Sequence, residues 1–449
     1  MASERVPNDR LRALLAEAAW TSAAFARAVN SAGAEIGRTL SYDRTSVAHW
    51  LAGARPRHPV PDLVAEVLSR KLGRSITAAV AGFPDGSARR AGLIGPRGRA
   101  GAVARLAELT STDADPVYRL PLQQSPYLAA DHGKPRWRES AARRTGPGVR
   151  TAGPPAGRAE VASLRTAVRV FATGLDLHGG GHADAALAAF LADDLVPWLN
   201  RPAKEKVRRE LLTEAAHLVF VRARIHSDSG FHGAAQLFYV AALRLADEAD
   251  DVCTWAVILR AMSSQALALN HRQKAVRYGE NAYAALPARC PPATRAFVAA
   301  QLAVARAAVG RGRDALEVLK DADRAAGESR ATGDPFQVYP RAALEFQRAQ
   351  TLRGLGDVKG AIEALSASSR HRHPDDRRGH ALTHAVRTKL SLRTGHVEEA
   401  CGSWREFLAT GAGLQSSSVD AARSELRHEF IPYRSNATVG ALLSEQREG

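Results

Sequence analysis

Cysteine and methionine are scarce in this chain of 449 residues, which has three cysteines and two methionines. Cys253, Cys290 and Cys401 are far apart and form no C-x-x-C pair. This spacing indicates reduced thiols and argues against a disulfide scaffold. The sequence contains no run of about 18 apolar residues, so it predicts no transmembrane helix. The polar start, MASERVPNDR, lacks the apolar core of a signal peptide. These absences predict a cytoplasmic protein without a membrane partner.

Motifs for catalysis, cofactors and metals are also absent. The sequence contains no P-loop and no G-x-S-x-G nucleophile motif. The glycine-rich HGGGH at 178–182 follows no strand pattern, so it is not a dinucleotide fingerprint. His371, His373, His380 and His384 lie close in sequence, but no H-E-x-x-H or nearby cysteine supports zinc, and a polar loop is the preferred interpretation. We therefore expect no enzyme activity, no cofactor and no metal.

Alanine, leucine and arginine dominate the composition, and β-branched residues are sparse, which predicts an all-α fold. The length allows two or three domains. The net charge of +16 is uneven, because residues 1–159 carry +11 and the rest +5. An excess of positive charge near the N-terminus fits a polyanionic partner. An arginine-rich coding bias is the alternative explanation.

Residues 8–83 have the pattern of a small helical bundle. Apolar residues recur at helical spacing from Leu11 onwards, Thr21 can cap a second helix, and Gly33 is expected to end it. Pro61 suits the first turn of a fourth helix. The third helix lies in the segment 41–57, SYDRTSVAHWLAGARPR, after a loop of unusual length.

The segment 41–57 holds the candidate DNA-binding residues. Arginine and short hydroxyl side chains on a helix are suited to contacts with base edges in the major groove, and Arg55 and Arg57 to phosphate contacts. Trp50 has the spacing of a core residue, and Tyr42 either packs or touches the backbone of the nucleic acid. An ordinary exposed helix face is the alternative. The candidates are Arg44, Thr45, Ser46, His49, Arg55 and Arg57.

Residues 84–159 are rich in Gly, Pro and Arg, which predicts a mostly flexible basic linker. Its RGR and ARR clusters can touch phosphates, but solvated linker charges are the preferred explanation. The stretch LPLQQSPYLAADHGKPRWRES has enough apolar and aromatic residues to dock on another surface, which the sequence does not identify.

Residues 160–445 contain a recurring signature in which Gly, once Asn, is followed five residues later by Ala at the start of a helix. Glycine permits the turn between antiparallel helices, and alanine lets them approach closely. Repeated helix–turn–helix units predict an α-solenoid with C-terminal capping helices. The six pairs are Gly181–Ala186, Gly230–Ala235, Asn270–Ala275, Gly310–Ala315, Gly356–Ala361 and Gly395–Ala400.

The concave face of a solenoid commonly binds a peptide or a protein. Polar residues on the first helices of the predicted units are candidates for that surface, although a solvated helix face explains them equally well. They are Arg222, Gln265, Gln301, Arg348 and Arg387.

Residues 11–75 resemble the N-terminal domain of Xre-type helix-turn-helix regulators, in particular an actinobacterial group with a tetratricopeptide-like C-terminal region. The resemblance rests on LRALLAEAAWTSAAFARAVN, YDRTSVAHWLAGARPR and PDLVAEVLSRKLGR, and the segments 226–251, 261–282 and 310–323 look like tetratricopeptide units. It implies a DNA-binding regulator with a recognition helix at 43–52, and some members control development and secondary metabolism. The loop 33–41 is longer than the usual short turn, which leaves the docking of this helix open.

Two hypotheses follow. In the first, the chain is a transcriptional regulator that binds double-stranded DNA as a homodimer, since one short helix reads few base pairs, and the repeats sense a ligand or partner or make the oligomer. In the second, it is a protein-interaction scaffold whose N-terminal bundle does not bind DNA.

Overall fold

The computed structural model describes residues 6–83, 101–129, 154–328 and 339–445. Within these ranges every regular element is a helix, and none is a strand. The predicted all-α class is therefore confirmed for the described residues. The chain divides into two compact units, which comprise residues 1–165 with 185–278 and residues 166–184 with 279–449.

The helices of the first part of the chain are α1 (Asp9–Glu17), α2 (Ser22–Glu35), α3 (Arg44–Leu51), α4 (Val60–Leu72), α5 (Ala102–Ala114), α6 (Pro116–Gln123), α7 (Arg158–His178), α8 (Asp184–Phe190), α9 (Val196–Asn200), α10 (Glu205–Asp228), α11 (His232–Glu248), α12 (Val252–Ala268) and α13 (Arg272–Ala285). A π-helical turn, Leu191–Leu195, joins α8 to α9. The remaining helices are α14 (Pro292–Ala308), α15 (Gly312–Glu328), α16 (Arg341–Gly354), α17 (Val358–His371), α18 (Arg377–Arg393), α19 (Val397–Gly411), α20 (Ser417–Phe430) and α21 (Ala437–Glu445).

Helices α1 to α4 share one apolar core that extends from Leu11 to Phe83. Thr21 caps α2 as predicted, because its hydroxyl accepts the backbone N–H of Ala24. The helix continues two residues past Gly33, the predicted end, and the left-handed residue that follows it is Gly37. The bundle therefore forms around the apolar positions that the sequence pattern indicated.

Five of the six predicted repeat turns are confirmed. Gly230, Asn270, Gly310, Gly356 and Gly395 all have positive φ, between 64° and 86°. The alanine five residues after each of them is completely buried. The left-handed residue ends one helix, and the small side chain allows the next helix to pack closely against it.

The first predicted turn, at Gly181, differs from the other five. The residue with positive φ is Gly179, and Ala186 is exposed. The helix that follows is short and passes directly into the π-helical turn, so it has no length over which to form a regular hairpin. The repeats therefore begin later in the chain than predicted.

The second unit contains three consecutive helical hairpins, α14–α15, α16–α17 and α18–α19. Neighbouring hairpins are stacked, because α14 packs against α16 and α17 against α18. Helices α20 and α21 follow and cover the last hairpin through a core that includes Trp404, Phe407 and Phe430. This arrangement is the predicted tetratricopeptide-like α-solenoid with its C-terminal capping helices.

Two helices lie in the segment that was predicted to be mostly linker. Helix α5 buries Val103, Leu106 and Leu109 and packs against α11, α9 and the π-helical turn. Its apolar stripe is too short to make a core by itself, and the repeat helices provide the other side. Residues 84–100 and 130–153, with the RGR and ARR clusters, lie outside the described residues, and the domain limits 8–83, 84–159 and 160–445 stay predictions.

None of the described helices combines the length and the apolar character that crossing a membrane requires.

Candidate nucleic-acid interface

A capping box starts α3. The carboxylate of Asp43 accepts the backbone N–H of Ser46 at 2.9 Å, and the hydroxyl of Ser46 donates to the same carboxylate oxygen at 2.9 Å. These bonds lower the pKa of Asp43 and keep its charge at the start of the helix. Ser46 is therefore engaged in the cap, which leaves its hydroxyl a smaller part in base recognition than predicted.

The inner face of α3 anchors the helix in the bundle. Val47 and Trp50 are buried, and the Trp50 ring meets Phe25 of α2 edge-on with 6.3 Å between centroids. Tyr42 also meets the Trp50 ring edge-on, with 4.9 Å between centroids. Trp50 is thus a core residue as expected, and Tyr42 packs in the bundle.

The long loop before α3 is tied to α2 by one side chain. The amide of Asn30 donates to the carbonyl of Tyr42 and accepts the N–H of Tyr42, both at 2.9 Å. This pair of bonds fixes the end of the loop immediately before the cap of α3. The extra loop length therefore lies upstream of Tyr42, and the start of α3 is held in register with α2.

The outer face of α3 is open. Arg44, Thr45 and His49 are exposed, and so are the small side chains Ala48 and Ala52. In the described parts of the chain, no side-chain hydrogen bond or ion pair engages Arg44 or His49. A helix face with small residues between basic ones allows close approach to a polyanion.

Arg55 and Arg57 follow α3 on either side of Pro56. Both are exposed, and neither has an ion-pair partner among the residues that the structure places. Arg38, in the loop before α3, is exposed and unpaired over the same described ranges and was not among the predicted residues. Its position in a loop without periodicity gave no signal beyond its charge.

The fourth helix is buried on more than one face, including its polar positions. Glu66 is 2% exposed and accepts bonds from Arg70 and from His271, which immediately precedes α13, each at 2.8 Å. Arg70 also makes a bidentate pair with Glu35 of α2. Burial alone would lower the pKa of Arg70, but the bonds to Glu35 and the charge of Glu66 raise it. Helix α4 is thus the part of the bundle that packs against the repeats of its own unit. The outer face of α3 remains exposed.

Two predicted partner-binding residues of the first unit contact the chain itself. Arg222 is completely buried and makes a bidentate pair with Asp113 of α5, at 2.7 and 2.9 Å. Gln265 is 4% exposed and donates to the carbonyl of His232 at 2.9 Å. In this structure α5 covers the surface around Arg222, which the sequence analysis predicted to bind a partner.

Three predicted partner-binding residues belong to the second unit. Gln301 is 2% exposed within the packed helices, and Arg348 forms ion pairs with Glu345 and Asp323. Arg387 is partly buried on α18. The structure places them on successive first helices of the hairpins, as predicted.

The structure also locates two of the clustered histidines, which lie in the second unit. His380 and His384 are stacked on α18 with ring centroids 6.3 Å apart, and burial lowers the pKa of both. Across the described ranges, no group of three or more His, Cys, Asp or Glu side chains is arranged to hold a metal ion.

Comparison with known proteins gives a family match for the bundle and a weak similarity to solved structures. Residues 11–84 match the family described as the SP15 N-terminal domain, and this match covers the bundle. No curated protein matches the chain. The Xre-type resemblance therefore stays a prediction.

Among solved structures, the chain is similar to one in the crystal structure of the APC/C hetero-tetramer Cut9–Hcn1, with 15% identity and a TM-score of 0.34. The alignment covers 82% of this chain and 63% of that one, so this chain spans less than two thirds of its length. A similarity at this level supports no statement about function.

Proposed function

We propose that the N-terminal bundle binds double-stranded DNA through α3 and that the chain regulates transcription. The observation that carries the proposal is the open outer face of α3. Arg44, Thr45 and His49 project from a helix whose inner face is anchored by Trp50. Because α4 is the helix buried against the repeats, docking of the bundle leaves this face available.

The chemistry of the face fits a division of roles. Arg44 can bond guanine O6 and N7 bidentately, and Thr45 can bond a base edge or a phosphate. Arg55 and Arg57 suit phosphate contacts, since Pro56 restricts the backbone between them. The Asp43 carboxylate at the start of α3 repels a phosphate, so the arginines and not the helix N-terminus take that contact.

The test is selection of binding sites from a random duplex library by the full chain. We expect one enriched motif, a relaxed preference at one position for Arg44→Ala, and weaker binding to every sequence for Arg57→Ala. The slope of log affinity against log salt should fall by about 1 for Arg57→Ala. Arg427→Ala, an exposed arginine on α20, is the matched control and should change neither quantity. Equal binding to all duplexes by the unaltered chain would contradict sequence-specific recognition.

A protein-interaction scaffold is the second candidate. It is favoured by the stacked hairpins of the second unit and by the way the repeats of the first unit hold a segment of their own chain. The full chain with Arg44, Arg55 and Arg57 changed to alanine separates the two candidates. A scaffold keeps its protein partners and its cellular effect after this change, whereas a DNA-binding regulator loses the effect.

A further inference from the structure

Residues 125–129, Ser-Pro-Tyr-Leu-Ala, follow α6 after one turn residue, Gln124. We call them the strap. Ser125, Pro126, Tyr127 and Ala129 are buried, although the strap has no regular secondary structure. Its surroundings belong to the same unit and come from α11, from His271 immediately before α13, and from the end of the N-terminal bundle.

The backbone of the strap is bound by a single glutamine side chain. Gln236 of α11 is completely buried; its Oε1 accepts the N–H of Leu128 at 3.0 Å, and its Nε2 donates to the carbonyl of Leu128 at 2.6 Å. Both polar groups of one residue are satisfied together, as a neighbouring β-strand would satisfy them. Such a contact recognises an extended backbone rather than a particular side chain.

Close approach of the strap depends on a glycine. A Cβ at Gly233 would lie 2.6 Å from the carbonyl carbon of Ser125 and 2.7 Å from the carbonyl oxygen of Pro126. The bond from Gln265 to the carbonyl of His232 fixes the turn of α11 that carries this glycine. The strap therefore lies directly against the backbone of α11 at Gly233, where no side chain intervenes.

Two further contacts hold the strap, one at a side chain and one at the backbone. The Tyr127 ring lies 5.3 Å from the ring of His271, and Tyr127 is 3% exposed. Ser75 donates from its hydroxyl to the carbonyl of Ala129. We define the cradle as Ser75, Gly233, Gln236 and His271.

The chain N-terminal to the strap is weakly anchored. Helix α6 buries only Leu122 among its described residues, while Val117, Tyr118 and Leu120 are 74%, 61% and 56% exposed. A helix that buries few apolar side chains opens locally at a lower cost than a well-packed one. The cradle is therefore a built site whose present occupant can leave.

We propose that the cradle is a peptide-binding site that takes, from another protein, an extended segment with a proline-tyrosine-leucine core. The strap occupies this site within the chain and competes with the incoming peptide. The proposal goes beyond DNA binding and does not depend on it, because no cradle residue lies on α3.

The test uses a fluorescent peptide with the sequence of residues 122–130, LQQSPYLAA, and fluorescence anisotropy with the full chain. Tyr127→Ala combined with Leu128→Pro weakens the strap, because the variant loses the ring and the N–H that the cradle binds. We expect this chain to bind the peptide at least about tenfold more tightly than the unaltered chain, since the competing strap acts at a high effective concentration. Circular dichroism checks that the variant remains helical.

Three changes should remove that binding. Adding Gln236→Ala to the strap variant, adding Gly233→Ala to it, or using a peptide with N-methylleucine at the Leu128 position should each weaken binding about tenfold or more. Gln350→Ala, on α16, is the matched control and should have no effect. No peptide binding by a folded strap variant overturns the proposal. Self-association of the unaltered chain that Gln236→Ala abolishes also overturns it, because the ligand is then a second copy.

If the strap variant does not fold, hydrogen exchange on the unaltered chain gives the answer. Excess peptide should raise deuterium uptake in residues 124–129, whereas the N-methylated peptide should not. Unchanged uptake with a saturating amount of peptide would overturn the proposal.

Discussion

Asp113 shows how one charged residue can depend on the whole first unit. Its side chain is completely buried between Arg222, which bonds both oxygens, and His226, whose Nε2 lies 3.4 Å from Oδ1. Burial opposes ionisation, but the bond from His226 and the charge of Arg222 outweigh it and lower the pKa of Asp113 from 3.8 to about 2. The carboxylate therefore stabilises the fold as long as it stays ionised.

We expect Asp113→Asn to reduce the free energy of unfolding by about 3 to 5 kcal/mol at pH 7, because it removes the charge that forms the bidentate pair with the buried Arg222. The folded-state pKa lies below the unfolded one, so the contribution of Asp113 is complete above about pH 4 and is lost as the pH falls towards 2. Urea unfolding at pH 7, 4 and 3 measures both effects. The double variant Asp113→Leu with Arg222→Met removes both charges and should be less damaging than the single change. An equal loss in both variants would contradict this account.

At the scale of the element, the repeat turns combine a special backbone conformation with a close helix contact. Gly395 has φ of +80° between α18 and α19, and Ala400 on the next helix is completely buried. Both properties follow from local sequence, which explains why the repeats could be recognised before their stacking was known. Thr21 at the start of α2 is a second local signal of this kind, because a cap bonds within its own first turn.

Two glycines of the α18–α19 hairpin should respond to alanine with opposite signs. Neither has an atom within 4 Å of an added Cβ, so backbone conformation alone decides. Gly395→Ala forces alanine into the left-handed region and should destabilise the protein by about 1 to 2 kcal/mol. Gly402→Ala lies inside α19 and should stabilise it by about 0.5 to 1 kcal/mol. Denaturant unfolding compares the two, and a shift of the same sign in both would disprove the explanation.

At the scale of the molecule, positive charge is unevenly distributed along the chain. Residues 1–159 carry a net +11 and the rest +5, and the open face of α3 lies in the more basic region. Helix α3 has eight residues, which is enough to contact only a few base pairs. If α3 binds DNA as proposed, sequence-specific binding at useful affinity calls for two copies of the chain on one DNA site.

We expect the preferred DNA site to contain two half-sites about 10 base pairs, or one helical turn, apart, and to bind two copies of the chain. Moving one half-site by five base pairs places it on the opposite face of the duplex and should lower affinity at least about tenfold. Sedimentation of the complex measures the stoichiometry. A complex of one chain with one duplex that keeps full affinity on an isolated half-site would exclude this arrangement.

Long-range pairs mark the limit of inference from sequence. Arg222 and Asp113 are 109 residues apart, and Glu66 and His271 are 205 apart. Neither pair has a periodic or local signature, so Arg222 could be identified as a polar residue on a first helix but not as the partner of α5. Ser46 illustrates the same limit at short range, because the hydroxyl that suited a base contact is used by the capping box.

The sequence by itself determined the helical class, the core of the bundle, the caps and five of the six repeat turns, because helical periodicity and left-handed residues act over one or two turns of the chain. Tertiary structure alone decided that α5 and the strap pack against the repeats, that α4 is covered and that α3 stays open. Those outcomes depend on burial and charge pairing between residues about a hundred or more positions apart, and local propensity carries no information about such pairs.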